Sequence, residues 1–280
     1  MFHRIKWFCL SFTAAFFCFS LMVMAAVLWV RPFSPVSEPV PSSAVYLPQK
    51  EDARNILVSF HASGQAPHTL LLFSVNPYDG KIPVAVFSPE TILPGAGGLS
   101  LNVLYQNGRM ETIRQAVSAE FSIPVHHCME ITAEGFSELL DSLGAVPLEL
   151  PRTVSYSLEN ITVVLNPGLQ AIDGNKAFFL LSDSRWESFL TGKLFSNFLR
   201  QHLGSLLISE NQDAFQLLLD HTETDLSILD YGHFHSSAVF MSQLVPDPVF
   251  LLPYCEKSVP ELGILSPETY DEITSAFSLQ

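Results

Sequence analysis

The segment that decides the fold is HCMEITAEGFSELLDSLGAVPLELP, residues 127–151. It begins with alternating apolar and polar side chains, which is typical of a half-buried strand. Thr132 then stands where a helix N-cap is expected. The apolar residues after it recur every three or four positions and predict one buried helix face: Phe136, Leu139, Leu140 and Leu143. Gly144 is the residue type that ends helices, and an extended stretch runs on to Pro151, so the segment predicts a βαβ fragment.

Upstream of this segment, three apolar runs predict strands. Residues 54–60 form the first, and residues 70–75 and 82–87 form a hairpin joined by the turn sequence NPYDGK. Because nearly every position of the hairpin is apolar, we expect a sheet that is covered on both faces. The next segment, residues 109–122, has the apolar spacing of a buried helix face: Met110, Ile113, Val117 and Phe121.

Downstream, the patterns are mostly helical. Residues 161–165 (ITVVL) predict a strand, and a turn then leads to a helix whose N-cap is Asp173. Apolar residues recur at helical spacing from Trp186 to His221, which predicts one long helix or two. For residues 222–280 we expect one or two short helices followed by irregular chain.

The first 50 residues predict a membrane anchor and a spacer. Residues 7–30 contain no charged residue, and a helix of that length spans about 36 Å, enough for a bilayer core. Arg4 and Lys6 precede it, so the charge bias predicts that residues 1–6 are cytoplasmic and that the rest of this single-pass chain is extracytoplasmic. A cleaved signal peptide is the alternative, but the apolar run is longer than the usual limit of about 15 residues. Residues 31–50 contain five prolines and four serines, which indicates an extended spacer.

Charge and cysteine content exclude several classes of protein. Residues 32–280 hold 28 acidic and 11 basic side chains, a formal charge of −17, which argues against binding nucleic acid. Cys128 and Cys255 are the cysteines of this part, and we expect two unpaired thiols, with a single bridge as the alternative. His126 and His127 would point to opposite faces of a strand and therefore do not share a metal. We expect the HFH sequence at residues 233–235 to lie in a surface loop.

The order of these segments resembles the LytR-CpsA-Psr family, whose domain is also called the cell-envelope-related transcriptional attenuator domain. The resemblance is carried by residues 68–91, 101–108, 120–151 and 165–185, and the sequence is identified as a divergent member. It implies an α/β/α sandwich with a mixed central sheet over residues 51–221, followed by a C-terminal extension, residues 222–280. It also implies a place in the bacterial cell envelope, a polyprenyl-pyrophosphate lipid in an apolar tunnel, and Mg²⁺-assisted transfer of a glycopolymer to peptidoglycan.

Such a transfer needs cations against the diphosphate and carboxylates for the metal. The family's Gly-x-Asp and Arg-x-Asp motifs fall on residues 60–62 (FHA) and 66–68 (APH), which lose three charged groups. Its Pro-Arg-Asp motif falls on residues 88–90, where Glu90 keeps a carboxylate. Its Lys-Ile-Asn motif falls on residues 100–102, where Asn102 keeps only the amide.

The later motifs are depleted as well. The arginines that the family carries after its GNKAFFLL helix fall on Ser182 and Ser184. Its Gly-Arg and Arg-Gln pairs fall on residues 192–193 and 196–197, where Lys193 keeps a charge. An alignment shifted by four residues would instead match Arg200, followed by Gln201.

Two functions therefore remain open. The first, which the lost charges favour, is a noncatalytic membrane-anchored binding or scaffold protein of the cell envelope that needs no cofactor and binds a polyprenyl lipid or a glycan. The second is an active Mg²⁺-dependent transferase with a rearranged site. In that case Glu90 and Lys193 are the candidate catalytic residues, and the candidate binding residues are His68, Asn102, Arg185 and Arg200. No GxSxG, Walker or Cys/His zinc pattern occurs in the sequence.

Overall fold

The computed structural model describes residues 46–158, 161–183, 186–209, 212–257 and 263–278. The chain divides into two units, Met1–Tyr46 and Leu47–Gln280, and apart from Tyr46 the described residues belong to the second. The predicted span at residues 7–30 and most of the predicted spacer lie outside the described residues. None of the helices that are described has the length and apolar character needed to cross a membrane.

Strands and helices alternate irregularly along the second unit. The strands are β1 (Arg54–His61), β2 (Thr69–Val75), β3 (Ile82–Phe87), β4 (Thr91–Leu93), β5 (Leu99–Ser100), β6 (His127–Thr132), β7 (Val146–Leu150), β8 (Val154–Leu158), β9 (Ile161–Leu165), β10 (Gly168–Ile172), β11 (Glu223–Thr224), β12 (Val249–Leu251) and β13 (Gly263–Ile264). The helices are α1 (Leu101–Phe121), α2 (Ala133–Leu143), α3 (Gly174–Ser182), α4 (Ser188–Leu203), α5 (Asp213–Asp220), α6 (Tyr231–Leu244), α7 (Pro253–Lys257) and α8 (Pro267–Phe277).

A mixed sheet forms the centre of this unit. Within the described residues it has six strands in the order β11-β6-β1-β2-β3-β12. The β6–β1 and β3–β12 pairs are parallel, and the other neighbours are antiparallel. The predicted hairpin is β2–β3, and every residue of both strands is buried, as expected for a sheet covered on both faces. The structure therefore confirms the predicted α/β fold with a mixed central sheet.

Helices cover both faces of this sheet. On one face, Phe60 of β1 contacts Phe136 of α2 and Phe195 of α4, with ring centroids 5.5 and 5.7 Å apart. On the other face, Phe87 of β3 contacts Phe121 of α1 at 6.0 Å. The strand register places Phe60 and Phe87 on opposite faces, because successive side chains of a strand alternate. The sheet is thus the middle of three layers, as the resemblance implied.

The segment of residues 127–151 folds as a strand, a capped helix and a second strand. The Thr132 side chain accepts a hydrogen bond from the Gly135 backbone N–H at 2.9 Å, as predicted, and the helix ends before Gly144. The two strands, however, lie in different sheets, because β7 pairs with β10 rather than with the central sheet. The βαβ prediction is therefore wrong in its pairing. Residues 168–172, which we expected to form a turn, supply the partner strand for β7.

The C-terminal stretch also departs from the prediction of short helices and irregular chain. Strands β11 and β12 extend the two edges of the central sheet, and Tyr270 of α8 packs on Phe121 with ring centroids 5.0 Å apart. His233 and His235 lie in α6 rather than in a loop. The range predicted as one helix or two, residues 186–221, contains α4, a π-helical turn at residues 204–208, and α5.

The two described cysteines are free, as expected. Cys128 lies in β6 and is half-buried, whereas Cys255 is buried in α7. Burial is the main cause that raises the pKa of each thiol to about 12. Both thiols therefore stay protonated at neutral pH and react poorly.

Candidate functional site

A cavity of about 460 Å³, here called the cleft, opens at one end of the central sheet. It lies where β1 ends, β2 begins and β3 ends, so that residues 62, 66–68 and 88–90 converge in it. Asn102 enters from the first turn of α1, and Ser182 enters from the last turn of α3. The resemblance placed the charged motifs of the family at these positions, so the fold brings the expected site together.

Three of the predicted site residues line the cleft: His68, Glu90 and Asn102. Glu90 is exposed, and its backbone N–H donates to the Ser88 hydroxyl at 3.3 Å. The backbone N–H of Asn102 donates to the carbonyl oxygen of Pro89 at 2.8 Å. That bond fixes the start of α1 against the segment that follows β3.

His68 carries no positive charge at neutral pH. Burial, followed by the nearby imidazole of His61, lowers the pKa of His68 from 6.5 to about 4. Its Nδ1 lies 3.0 Å from the hydroxyl of Thr69, which donates to the hydroxyl of Thr191 on α4 at 3.3 Å. His68 therefore contributes a neutral hydrogen-bonding group to the cleft.

Two of the predicted cations of the site, Lys193 and Arg200, do not line the cleft. The ammonium of Lys193 lies 4.5 Å from the ring centroid of Phe189. Arg200 donates to the carbonyl oxygen of Val249 at 2.8 Å and pairs with Asp247 at 3.0 Å, so it ties α4 to β12. Among the described residues of α4, Ser188 in the first turn lines the cleft, whereas Lys193 and Arg200 lie further along the helix. Arg185, the other predicted cation, lies outside the described residues.

Sequence reasoning missed part of the cleft wall, in particular Gln65, Trp186 and Glu187. Trp186 is 6% exposed, and its ring lies 6.3 Å from that of Tyr156. Glu187 pairs with Arg152 at 2.5 Å. The available signal was that Trp186 is the single tryptophan after residue 30. The helical spacing that begins at Trp186 assigned it to a helix, and no motif assigned it to the site.

The charges of the cleft do not suit a diphosphate. Among the described residues that line it, Glu90 and Glu187 are acidic and none is lysine or arginine. The described part of the chain offers no group of three His, Cys, Asp or Glu side chains that could hold a metal ion. Amides, hydroxyls and an indole make up most of the polar lining. These groups can hydrogen-bond to uncharged hydroxyl and amide groups.

Beside the cleft, Glu130 is the centre of a hydrogen-bonded cluster. It accepts from the Tyr105 hydroxyl at 2.7 Å and from Arg109 at 3.3 Å, and the His61 ring lies 3.8 Å away. Burial, and then the bond to Glu130, raises the pKa of Tyr105 to about 12. Arg109 has φ 56° and ψ −150°, a conformation that strains any residue other than glycine. The cluster ties α1 to the ends of β1 and β6.

Two apolar spaces bear on the expected lipid tunnel. A core cavity lined by Phe73, Leu199 and Phe234, among others, has a volume of about 40 Å³, which suits roughly one or two water molecules and not a prenyl chain. A shallow groove of about 490 Å³ runs past Leu143 and Leu217 and is mainly apolar. This core cavity is therefore too small for a prenyl chain, whereas the groove has room for an apolar ligand.

Comparison with known proteins identifies this domain. Residues 62–181 match the LytR_cpsA_psr family model. A relative from Enterococcus faecalis, the polyisoprenyl-teichoic acid–peptidoglycan teichoic acid transferase TagU, is 24% identical over 173 residues, which cover 58% of this chain and 55% of the relative. The match thus spans about half the length of that relative.

Two solved structures share the fold. A protein from Eubacterium siraeum DSM 15702, described as a transcription regulator, has a TM-score of 0.69 and 16% identity over 85% of this chain and 95% of that chain. TagV from B. subtilis has a TM-score of 0.63 and 13% identity over 80% of this chain and 95% of that chain. The match over residues 62–181 confirms the resemblance to the LytR-CpsA-Psr family that the sequence indicated.

Proposed function

We propose that this protein is a noncatalytic, membrane-anchored member of its family on the extracytoplasmic side of a bacterial cell membrane, where the cleft binds an uncharged part of an envelope glycan. Family membership and the relative named as a teichoic acid transferase support a role at the cell envelope. The uncharged residues 7–30 support the anchor.

One observation carries the proposal: the described lining of the cleft combines Glu90 and Glu187 with no lysine or arginine. In phosphoryl transfer, catalysis comes almost entirely from positioning and from charge placed around the phosphoryl group. Removal of one aimed donor typically costs about 3 to 4 kcal/mol of barrier, or a factor of roughly 10² to 10³ in rate. Several such groups are replaced together here, and two carboxylates face the same space. A transferase reaction through this cleft would therefore be slowed by many orders of magnitude.

The lining favours a glycan over a polyprenyl diphosphate. Gln65, Asn102 and Ser188 supply hydrogen-bonding groups without charge, and His68 is neutral. Sugar hydroxyl and acetamido groups both donate and accept hydrogen bonds, so they match such a lining without a counter-charge. A prenyl chain has no space in the core cavity of about 40 Å³.

A transfer assay tests the absence of catalysis. Full-length protein in detergent is incubated with a polyprenyl-pyrophosphate-linked glycopolymer, peptidoglycan and Mg²⁺, and the product is followed by mass spectrometry. The TagU relative from E. faecalis serves as the positive control. We expect no product above the level without protein. Turnover that disappears in Glu90→Ala or Arg185→Ala would establish the active enzyme with a rearranged site instead.

A binding assay tests the other half of the proposal. Soluble peptidoglycan fragments are titrated into the full-length protein by calorimetry, and lipids extracted from the purified protein are analysed by mass spectrometry. We expect saturable binding of the fragments, weakened by Asn102→Ala. A copurified prenyl lipid without any glycan binding would show that the bound ligand is the lipid.

A further inference from the structure

The helix α1 is broken in the middle. Gly108 (φ −174°, ψ 24°) and Arg109 (φ 56°, ψ −150°) have non-helical backbone, so α1 consists of two helical pieces, residues 101–107 and 110–121, that join at a kink. The second piece packs on the central sheet, where Phe121 contacts Phe87. The first piece carries Asn102, which lines the cleft. The kink therefore separates the part of α1 at the cleft from the part in the core.

A second break in regular structure precedes the first piece. Gly97 and Gly98, between β4 and β5, have φ 77° and 72°, in the left-handed region that favours glycine. A Cβ at either position would meet nothing within 4 Å, so the backbone conformation, and not a lack of space, calls for glycine there. Residues 99–107, here called the flap, thus lie between two irregular points of the backbone. The hinges of lids are a few positions of this kind, which absorb changes in φ and ψ.

The flap has few attachments to the rest of the domain. Its buried apolar side chains are Leu101 and Leu104, whereas four of its nine residues are exposed. Its strand, β5, pairs with β4 over two residues, and the backbone N–H of Asn102 bonds to Pro89. A segment with few buried contacts and an exposed outer face opens at a low free-energy cost compared with the core.

Glu130 of β6 attaches the flap to the central sheet. Its side chain is 11% exposed, and its carboxylate accepts from the Tyr105 hydroxyl of the flap at 2.7 Å and from Arg109 at 3.3 Å. Arg109 also pairs with Glu223 of β11 at 3.7 Å, and its guanidinium lies 5.7 Å from the Tyr105 ring centroid. Hydrogen bonds to a charged group are among the strong ones. These contacts hold Arg109 in its strained conformation, and the strain favours a different backbone at the kink once they break.

We propose that the flap moves about Gly97–Gly98 and Gly108–Arg109 to open the cleft, and that Glu130 is the latch that holds it closed. Asn102 moves with the flap, so opening removes part of the cleft wall and admits a ligand. Closure returns the Asn102 amide to the cleft. Glu130 is thus a positioning residue, which acts on the cleft through Tyr105 and Arg109. The inference goes beyond the proposed function, because it holds for any ligand of the cleft.

Hydrogen exchange of the full-length protein in detergent, followed by mass spectrometry, tests the flap without a ligand, because exchange reports local opening. Tyr105→Phe keeps the ring and removes the hydroxyl that binds Glu130. Since the lost hydrogen bond is to a charged group, we expect exchange of residues 101–107 to become about tenfold faster. Exchange of residues 110–121 should stay unchanged. Glu130→Gln, which keeps the size of the side chain and removes its charge, should give the same result.

A matched control removes a tyrosine hydroxyl from the other end of α1. Tyr270 donates to the backbone carbonyl oxygen of Glu120, so Tyr270→Phe should leave the exchange of residues 101–107 unchanged. An equal acceleration of residues 101–107 and 110–121 in Tyr105→Phe would show that the bond stabilises α1 as a whole, which would overturn the flap. Unchanged exchange of residues 101–107 in both Tyr105→Phe and Glu130→Gln would overturn the latch.

Discussion

Substitution Phe198→Ala tests whether the space between the central sheet and the helices is a packed core or an open tunnel. Phe198 is 1% exposed, and its ring centroid lies 5.2 Å from that of Phe136 and 6.2 Å from that of Phe195. A buried Phe→Ala change costs about 3 to 5 kcal/mol because it removes apolar contacts and leaves a cavity. The aromatic pairs belong to the same loss, at about 0.5 to 1.5 kcal/mol each.

We therefore expect Phe198→Ala to lower the free energy of unfolding by about 4 kcal/mol, which is a large share of the roughly 5 to 15 kcal/mol of an ordinary domain. Pulse proteolysis in urea on the full-length protein in detergent measures this value, because only the unfolded fraction is cleaved. The matched control is Tyr78→Ala, an aromatic residue that is 53% exposed and lies 5.6 Å from the Lys50 ammonium. It should cost no more than about 1 kcal/mol. A cost for Phe198→Ala below about 1 kcal/mol would refute the packed core and restore room for a prenyl chain.

Three further predictions concern stability, all measured by the same proteolysis assay. The free energy of unfolding should fall as the pH drops from 6.5 towards 4. In the folded state, burial and then the nearby charge of Arg54 lower the pKa of His126 to about 4. The unfolded chain therefore binds the proton at a higher pH than the folded chain does. His126 Nδ1 accepts a hydrogen bond from the Asn55 N–H at 2.9 Å, so the folded state needs this nitrogen unprotonated. His126→Gln should therefore flatten the pH dependence. An unchanged slope would contradict the assignment of that dependence to His126. Gly192→Ala should lower the free energy of unfolding by about 1 to 3 kcal/mol, because the added Cβ would lie 2.3 Å from Val86 Cγ2. The Cβ added by Gly204→Ala meets nothing within 4 Å, so this variant should be neutral or stabilising. Equal effects of the two substitutions would disprove the close contact at Gly192. Arg109→Gly should be more stable than Arg109→Ala by about 1 to 2 kcal/mol. Both variants lose the hydrogen bond to Glu130, but only glycine relieves the strained φ of 56°. The reverse order of stability would show that this backbone is not strained.

Local signals in the sequence were sufficient for the strands β1, β2 and β3 that end or begin at the cleft, whereas the first turns of α1, which carry Asn102, were not predicted. The apolar runs of β2 and β3 gave the hairpin, because strands buried on both faces have no polar alternation to obscure them. The cap at Thr132 identified the start of α2 for the same local reason. The alignment of family motifs then placed residues 62, 66–68 and 88–90 in one site, and the structure brings them together.

Features that depend on distant contacts were not predictable. β11 and β12 contain two and three residues, too few to show a period, and they exist because the edges of the central sheet offer partners. β7 pairs with β10 although β6 precedes it in sequence, since pairing is decided by the packing of the whole domain. Arg200 matched a family motif, yet its position on α4 directs it to the carbonyl oxygen of Val249.

The proposed function predicts that the cleft does not bind a diphosphate. Titration of inorganic pyrophosphate with Mg²⁺ into the full-length protein, followed by calorimetry at low salt, tests it most directly, because electrostatic binding is strongest there. The carboxylates of Glu90 and Glu187 and the neutral His68 lead us to expect no saturable binding. Micromolar affinity that is lost in Arg185→Ala or Glu90→Ala would contradict the claim and restore the enzyme.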